Sequence, residues 1–130
     1  IDGDTLDIHG VRIRLEGIDA PEASQLCYDE RQTAWRCGQV AARALDEFII
    51  RKTVHCETHS KDRYGRYIAT CYLGSTDLNA ALVASGLAVA YRKYSKRYVL
   101  EEESARAAKV GIWRGAFVMP WDWRRGERVR

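Results

Sequence analysis

The sequence predicts an α+β fold that is mainly β, because segments with two different periodicities alternate along the chain. Residues 3–18 alternate apolar and polar side chains with period two, and the other expected strands are short and rich in apolar residues. Residues 38–51 carry an apolar stripe at helical spacing. The strand segments are 3–18, 53–58, 66–73 and 87–91, and the helical segments are 38–51, 75–86 and 96–110. About five short strands with interspersed helices favour a small Greek-key barrel of the OB type. A mixed α+β sandwich fits the pattern nearly as well.

Two hairpins are expected within these strand segments. In the first, alternating residues lie on both sides of His9 and Gly10, a dipeptide that favours a turn. In the second, two apolar strands within residues 53–73 flank Tyr64 and Gly65. Each hairpin would bring its two strands side by side in one sheet.

The three predicted helices have readable ends. The helix at 75–86 can be capped by Ser75, Thr76 or Asp77, and Gly86 lies just past its last turn. The charged third helix is expected to end near Gly111. These signals place loops, where site residues concentrate, between the helices and strands.

The composition is that of one folded domain. A chain of 130 residues favours a single domain at 1–130, in which 114–130 is a Trp/Arg-rich C-terminal extension. The hydrophobic fraction of 46% and the charged fraction of 30% are ordinary for a globular protein. No apolar run approaches the roughly 20 residues that span a bilayer. The net charge of +3 permits a polyanionic partner without demanding one.

The two ends of the chain carry different signals. The chain starts at Ile1 rather than Met, so we expect a trimmed chain whose targeting segment is out of view. In the tail, Trp121 and Trp123 are expected to pack against the body. Four arginines follow, and they either extend a path for a polyanion or belong to a disordered terminus. They are Arg124, Arg125, Arg128 and Arg130.

Four cysteines allow three disulfide pairings. Cys56 and Cys71 flank the second predicted hairpin, where facing strand positions can meet disulfide geometry. Cys27 and Cys37 would close a short polar loop before the first helix. Four separate buried thiols are the alternative, and the absence of a C-x-x-C pattern argues against zinc. Disulfides would indicate an oxidising compartment.

Four carboxylates lie at the ends of adjacent strand segments. Asp2 and Asp4 are two residues apart, and Asp19 and Glu22 surround the turn set by Pro21. Converging carboxylates repel one another unless a cation lies among them. Oxygen ligands suit Ca²⁺ or Mg²⁺ rather than zinc. From spacing alone, caps or solvated turn residues remain an alternative to a metal site.

Three arginines are candidates for phosphate binding. Arg63 and Arg66 bracket the predicted Tyr64 turn, and Arg14 lies on the strand that leads into the acidic turn. A planar guanidinium matches a phosphate bidentately. A cation site beside arginines is the arrangement that phosphoryl chemistry needs. An ordinary basic hairpin tip is the alternative interpretation for the pair near Tyr64.

Taken in order, five motifs of the chain resemble the staphylococcal nuclease (thermonuclease-like) family. They are IDGDT, RLEGIDAPE, DRYGR, LNAALVASGLAVAY and GIW, which together extend from Ile1 to about Trp113. The resemblance implies a five-stranded OB barrel with three helices. It also implies a Ca²⁺-dependent nuclease that hydrolyses DNA and RNA, single-stranded or locally opened, and leaves 3′-phosphates. The four cysteines and the tail resemble secreted or periplasmic bacterial forms, and we expect a monomer without a membrane partner.

The resemblance implies a role for each matched residue. Asp4 and Asp19 match the calcium carboxylates, the Ala20 carbonyl matches a main-chain ligand, and Asp2 matches an outer acid. Glu22 matches the general base or water-positioning residue, and Arg14 and Arg66 match the phosphate clamp. The implied substrate contacts are Arg63, Tyr64 and Tyr91, with Tyr94 lying one residue beyond the expected second pocket tyrosine, where Lys93 stands.

A non-catalytic nucleic-acid-binding OB module is the alternative function. Inactive members of the family have usually lost several site residues, whereas this chain keeps the three acids and two arginines of the implied active site. The sequence therefore favours the enzyme. The histidines lack metal-like spacing, and Glu16 has no matched role and is expected at the strand surface.

Overall fold

The computed structural model describes residues 2–50, 52–93 and 95–130, which form nine short strands, four α-helices and one 3-10 helix. The strands are β1 Thr5–Ile8, β2 Val11–Leu15, β3 Ile18–Asp19, β4 Cys27–Tyr28, β5 Ala34–Trp35, β6 Val54–Lys61, β7 Tyr67–Leu73, β8 Thr76–Asp77 and β9 Val89–Ala90. The helices are α1 Cys37–Ile49, α2 Leu78–Ala84, α3 Val99–Ala108, the 3-10 helix Gly111–Arg114 and α4 Pro120–Arg124.

The main sheet joins the two predicted hairpins. β1 pairs with β2 and β6 pairs with β7, both antiparallel, and β2 and β7 then pair in parallel in the order β1-β2-β7-β6. β8 adds to β7, while β3 pairs with β9 and β4 with β5 in separate ribbons. The predicted α+β, mainly β fold class of the OB type is confirmed.

The helices agree with the predicted segments, apart from one addition. Asp77 is the N-cap of α2 and accepts a hydrogen bond from Ala80 N at 3.0 Å. The predicted end of the first helix at Arg51 lies outside the described residues. The three-helix prediction missed α4 in the tail, although Pro120 at its first turn is a recognised start signal. None of the helices in the described ranges is long and apolar enough to cross a bilayer.

The hydrophobic core holds in place the strands that flank the acidic residues. Leu15, Ile18 and Leu82 are fully buried, in one cluster that packs α1 and α2 against the sheet. Asn79 is also fully buried, and its amide nitrogen donates to Glu16 O at 2.9 Å and to Ala69 O at 3.2 Å. Because these bonds tie the end of β2 to β7, the turn that follows β2 has a fixed starting point.

Both predicted disulfides are confirmed. Cys27 pairs with Cys37 and Cys56 with Cys71, with Cα–Cα separations of 5.6 Å and 4.0 Å. The first bridge lies in a second apolar cluster that contains Ile112 and the tail residues Phe117, Met119 and Trp121. Trp121 therefore packs the tail onto the body, as the sequence predicts.

Removal of the first bridge should loosen the tail. A Cys27→Ser/Cys37→Ser protein is expected to lose about 2–3 kcal/mol of unfolding free energy, since the loop is short. Its tail should also be cut faster by trypsin, because the cluster beneath it is weakened. A Cys56→Ser/Cys71→Ser protein is the matched control, which should be destabilised without faster tail cleavage. Urea denaturation and limited proteolysis measure both effects; equal tail cleavage in the two proteins would contradict this role.

Candidate functional site

Asp4, just before β1, and Asp19, at the end of β3, lie side by side. Asp4 Oδ2 accepts a hydrogen bond from Ala20 N at 2.8 Å, and Asp4 Oδ1 accepts one from Thr5 Oγ1 at 3.2 Å. The Asp19 side chain is fully buried at the end of β3, and the Asp4 side chain is 8% exposed. The first predicted carboxylate thus holds the backbone of the acidic turn and brings the second one next to it.

Arg14 bridges these two carboxylates. Its Nη1 lies 3.5 Å from Asp4 Oδ2, and its Nη2 lies 3.5 Å from Asp19 Oδ1. Nη1 also donates to Leu15 O at 2.9 Å, which orients the guanidinium from its own strand. Only 15% of the Arg14 side chain is exposed. The structure therefore brings Arg14 and both acids together, at a point where positive charge offsets buried negative charge.

Glu22 is held on the far side of the turn. Its backbone N–H donates to Gln25 Oε1 at 3.1 Å, and its carbonyl accepts from Gln25 N at 2.8 Å. Gly38, at the start of α1, packs so tightly against this turn that a Cβ there would lie 1.6 Å from Glu22 O. The close approach of helix and turn fixes the Glu22 backbone beside the Asp4 and Asp19 pair.

Electrostatics within the acidic cluster reflect burial and repulsion. Burial raises the pKa of Asp19 to about 6; the Arg124 hydrogen bond opposes this rise, and the charge of Asp4 adds to it. Burial also raises the pKa of Asp2, with the charges of Asp4 and Glu22 contributing. Asp2 is therefore close enough to Asp4 and Glu22 for their charges to act on it. Above about pH 6 Asp19 is ionised, which is the form that binds a cation.

The donor chemistry fits a hard cation. In the described ranges, no set of three or more His, Cys, Asp or Glu side chains has metal-binding geometry. A cation here would therefore rely on the Asp4 and Asp19 carboxylates, the Ala20 carbonyl and water. Oxygen donors of this kind, completed by water, suit Ca²⁺ or Mg²⁺ and not zinc.

Arg66 lies immediately before β7, the strand that pairs with the Arg14 strand. β2 and β7 pair in parallel with Arg14 opposite Ile68, and Arg66 precedes Ile68 by two residues. Asp62 fixes Arg66: Asp62 Oδ1 accepts from Arg66 N at 2.9 Å and Asp62 Oδ2 from Arg66 Nε at 2.8 Å. Burial acts to raise the pKa of Asp62, but these bonds and one from Tyr64 outweigh it and leave that pKa lowered.

Arg63 and Tyr64 form the exposed tip of the same hairpin. Arg63 Nη2 donates to Tyr64 Oη at 2.8 Å, and 68% of Tyr64 is exposed. Gly65 N donates to Asp62 O at 3.1 Å, which closes the predicted turn. The structure thus places these two predicted substrate contacts at the surface of the hairpin, next to the anchored Arg66.

Tyr91 has an aromatic neighbour that sequence reasoning missed. Its ring stacks on Trp121 of α4, with centroids 5.2 Å apart and planes inclined by 11°. Both rings line a surface cavity of about 440 Å³ that Lys93 and Arg125 also line. Tyr94 lies outside the described residues. The pair provides an aromatic surface beside cations, which is suited to bases and phosphates.

Arg124 is the second residue that sequence reasoning missed. Its Nη2 donates to Asp19 Oδ2 at 2.7 Å, and its Nη1 donates to Asp19 Oδ1 at 3.1 Å and to Glu22 Oε1 at 2.5 Å. These hydrogen bonds, Asp19 first, raise the pKa of Arg124 despite its partial burial. No sequence signal distinguished it from the other tail arginines, because its partners lie 105 and 102 residues away.

Comparison with known proteins identifies a matching family and several relatives of this chain. The family model of staphylococcal nuclease homologues matches residues 12–115. The chain is 42% identical to the succinoglycan biosynthesis protein ExoI of Rhizobium meliloti over 88% of its own length and 61% of that protein. It is 34% identical to the micrococcal nuclease of Shigella flexneri over 98% of its own length and 78% of that protein. An uncharacterized endonuclease of Haemophilus influenzae is 33% identical, with 98% and 71% covered.

The first of these relatives is longer than this chain, which spans about three fifths of it. The family model nevertheless covers most of the chain, including β2, the acidic turn and the second hairpin. This chain therefore belongs to the family of staphylococcal nuclease homologues.

Proposed function

We propose that this chain is a Ca²⁺-dependent phosphodiesterase that hydrolyses DNA and RNA with little sequence preference and leaves 3′-phosphate ends. The observation that carries the proposal is the convergence of Asp4, Asp19 and Arg14, with Glu22 held beside them. Family membership and relatives that carry the name nuclease support the same chemistry.

The proposed metal site uses oxygen donors alone. Asp4, Asp19 and the Ala20 carbonyl would ligate the ion. Asp2 would lie near the ion without ligating it directly. A bound calcium ion would supply Lewis-acid stabilisation of the charge that develops on the phosphate. The raised Asp19 pKa means that the site is best prepared for a cation above about pH 6.

The chain's own residues account for the remaining steps. Arg14 and Arg66 bind the phosphate and stabilise its additional charge in the transition state. Glu22 orients a water molecule and accepts its proton as the oxygen attacks phosphorus. A 3′-phosphate product requires that the bond from phosphorus to the 5′ oxygen breaks.

The proposed substrate-binding surface combines aromatic rings with cationic side chains. Tyr91 stacks on a base, while Arg63 and Tyr64 at the hairpin tip contact a neighbouring phosphate. These contacts leave few base edges to be read, which explains a low sequence preference. Unpaired or locally opened strands fit best, because stacking needs a base that has left its duplex.

The disulfides indicate the compartment in which the protein functions. Two disulfides indicate a location outside the cytoplasm, and we propose a secreted or periplasmic protein. We also propose that residues 1–130 act as one monomeric domain, with 114–130 as its extension.

Cleavage should depend on calcium. Single-stranded DNA and RNA are expected to be degraded in Ca²⁺ and left intact in EDTA, because the acids then lack their cation. Gel analysis of the products and an end-group assay for 3′-phosphate test this. Undiminished cleavage in EDTA would contradict the metal role, and binding without cleavage in Ca²⁺ would favour the non-catalytic module.

A further inference from the structure

The C-terminal tail is anchored beside the acidic cluster by several contacts. Gln25 is fully buried, and its Nε2 donates to Val118 O at 2.8 Å while its Oε1 accepts from Glu22 N. Tyr28 N donates to Ala116 O at 2.9 Å, next to the Cys27–Cys37 bridge. One buried side chain therefore links the acidic turn to the tail backbone, so that α4 begins at a fixed place.

This anchoring directs the guanidinium of Arg124 onto Asp19. Both oxygens of that fully buried carboxylate accept hydrogen bonds from Arg124, at 2.7 Å and 3.1 Å. The same guanidinium reaches Glu22, and 40% of the Arg124 side chain is exposed. Bidentate, charge-assisted pairs are among the stronger hydrogen bonds in proteins.

The contact matters because the same Asp19 oxygens are the proposed metal donors. A carboxylate oxygen with a short bond to a guanidinium has to give up that bond, or share its lone pairs, before it ligates a divalent ion. Arg124 also adds a second positive charge, after Arg14, within the cluster of acids. Both effects oppose the entry of a divalent cation.

We propose that Arg124 is an internal cation of the site, which competes with the divalent ion for Asp19 and so weakens metal binding by this chain. The inference rests on the proposed function, because it assigns the metal to Asp4 and Asp19. In the metal-free protein, Arg124 compensates the buried carboxylates. When metal binds, Arg124 leaves Asp19 and keeps its bond to Glu22.

Calcium titration in the absence of nucleic acid tests the competition. At a pH at which Asp19 is ionised in both proteins, an Arg124→Ala protein is expected to bind Ca²⁺ about three- to tenfold more tightly than the wild type in isothermal titration calorimetry. Arg128→Ala is the matched control: Arg128 lies over the Trp123 ring, so its loss removes the same charge from the tail without touching the acids. Its affinity should stay within about twofold of wild type, because exposed distant charges are screened.

Further variants separate competition from a structural role. Arg124→Gln should also tighten binding, and it retains hydrogen-bonding capacity if the alanine variant does not fold. Arg124→Lys should lie between wild type and Arg124→Ala, because it keeps the charge but loses the bidentate contact. Circular dichroism and thermal melting establish that each variant is folded before titration.

The outcomes are distinct. Unchanged or weaker calcium binding in folded Arg124→Gln and Arg124→Ala would overturn the competition, while calcium-dependent cleavage by the wild type would still support the proposed function. Failure of every variant to bind calcium would overturn the competition and the metal assignment together. Tighter binding that disappears in an Asp19→Asn/Arg124→Ala protein would support the competition at this carboxylate.

Discussion

An Arg66→Ala protein is expected to have a turnover number lower by about 10³-fold or more, with a much smaller change in the affinity for nucleic acid. Asp62 anchors Arg66 through two hydrogen bonds, one from the backbone N–H and one from the guanidinium Nε, just before the strand that pairs with the Arg14 strand. A prepositioned cation stabilises charge that grows on the phosphate in the transition state more than charge already present in the ground state. Its loss should therefore lower kcat rather than raise KM.

Steady-state kinetics on single-stranded DNA measure the effects on kcat and on KM separately. Lys61→Ala is the matched control, since Lys61 carries the same charge on the same hairpin and packs over the Tyr67 ring. It should change kcat by no more than about twofold, as expected for an exposed, screened charge. An Arg66→Ala protein that changed only KM would contradict a transition-state role and leave Arg66 as a binding residue.

A Glu22→Gln protein is expected to cleave about 10²- to 10⁴-fold more slowly, because the amide cannot accept a proton from the attacking water. The substitution keeps the shape of the side chain. Asp19 still binds Arg124 through two hydrogen bonds, so the tail should stay in place. Nucleotide binding is therefore expected to change little, as fluorescence titration with a labelled oligonucleotide would measure.

Glu16→Gln is the control for this substitution. Glu16 pairs with His59 through an Oε2 to Nε2 contact of 2.9 Å. Loss of its charge should leave kcat near the wild-type value. If Glu22→Gln cleaved as fast as the parent protein, the base would have to be assigned to another group.

Local signals in the sequence predicted most of the fold. The period-two alternation around His9 and Gly10 determines the first hairpin, since one face of each strand must be buried. Asp77 and Gly86 mark the ends of α2 because their chemistry satisfies helix termini directly. Cys56 and Cys71 face each other because the hairpin between them fixes the register of β6 and β7.

Part of the candidate site could also be predicted from local sequence. Asp19, Pro21 and Glu22 are close in sequence, so their proximity is a property of one turn. Asp4 joins them through the hydrogen bond that its carboxylate accepts from Ala20 N, and the resemblance to a family had already indicated this grouping. The pairing of β2 with β7 places the Arg14 strand beside the strand that follows Arg66.

The sequence by itself predicted both hairpins, the ends of α2 and the two disulfide pairs, and it indicated the acids and arginines proposed for the site. Only the tertiary structure placed Arg124 on Asp19 and Trp121 on Tyr91. Those contacts depend on how the tail packs over the Cys27–Cys37 cluster, which no local pattern encodes. A contact across 105 residues forms only after the whole chain has folded, so the three-dimensional packing decides it.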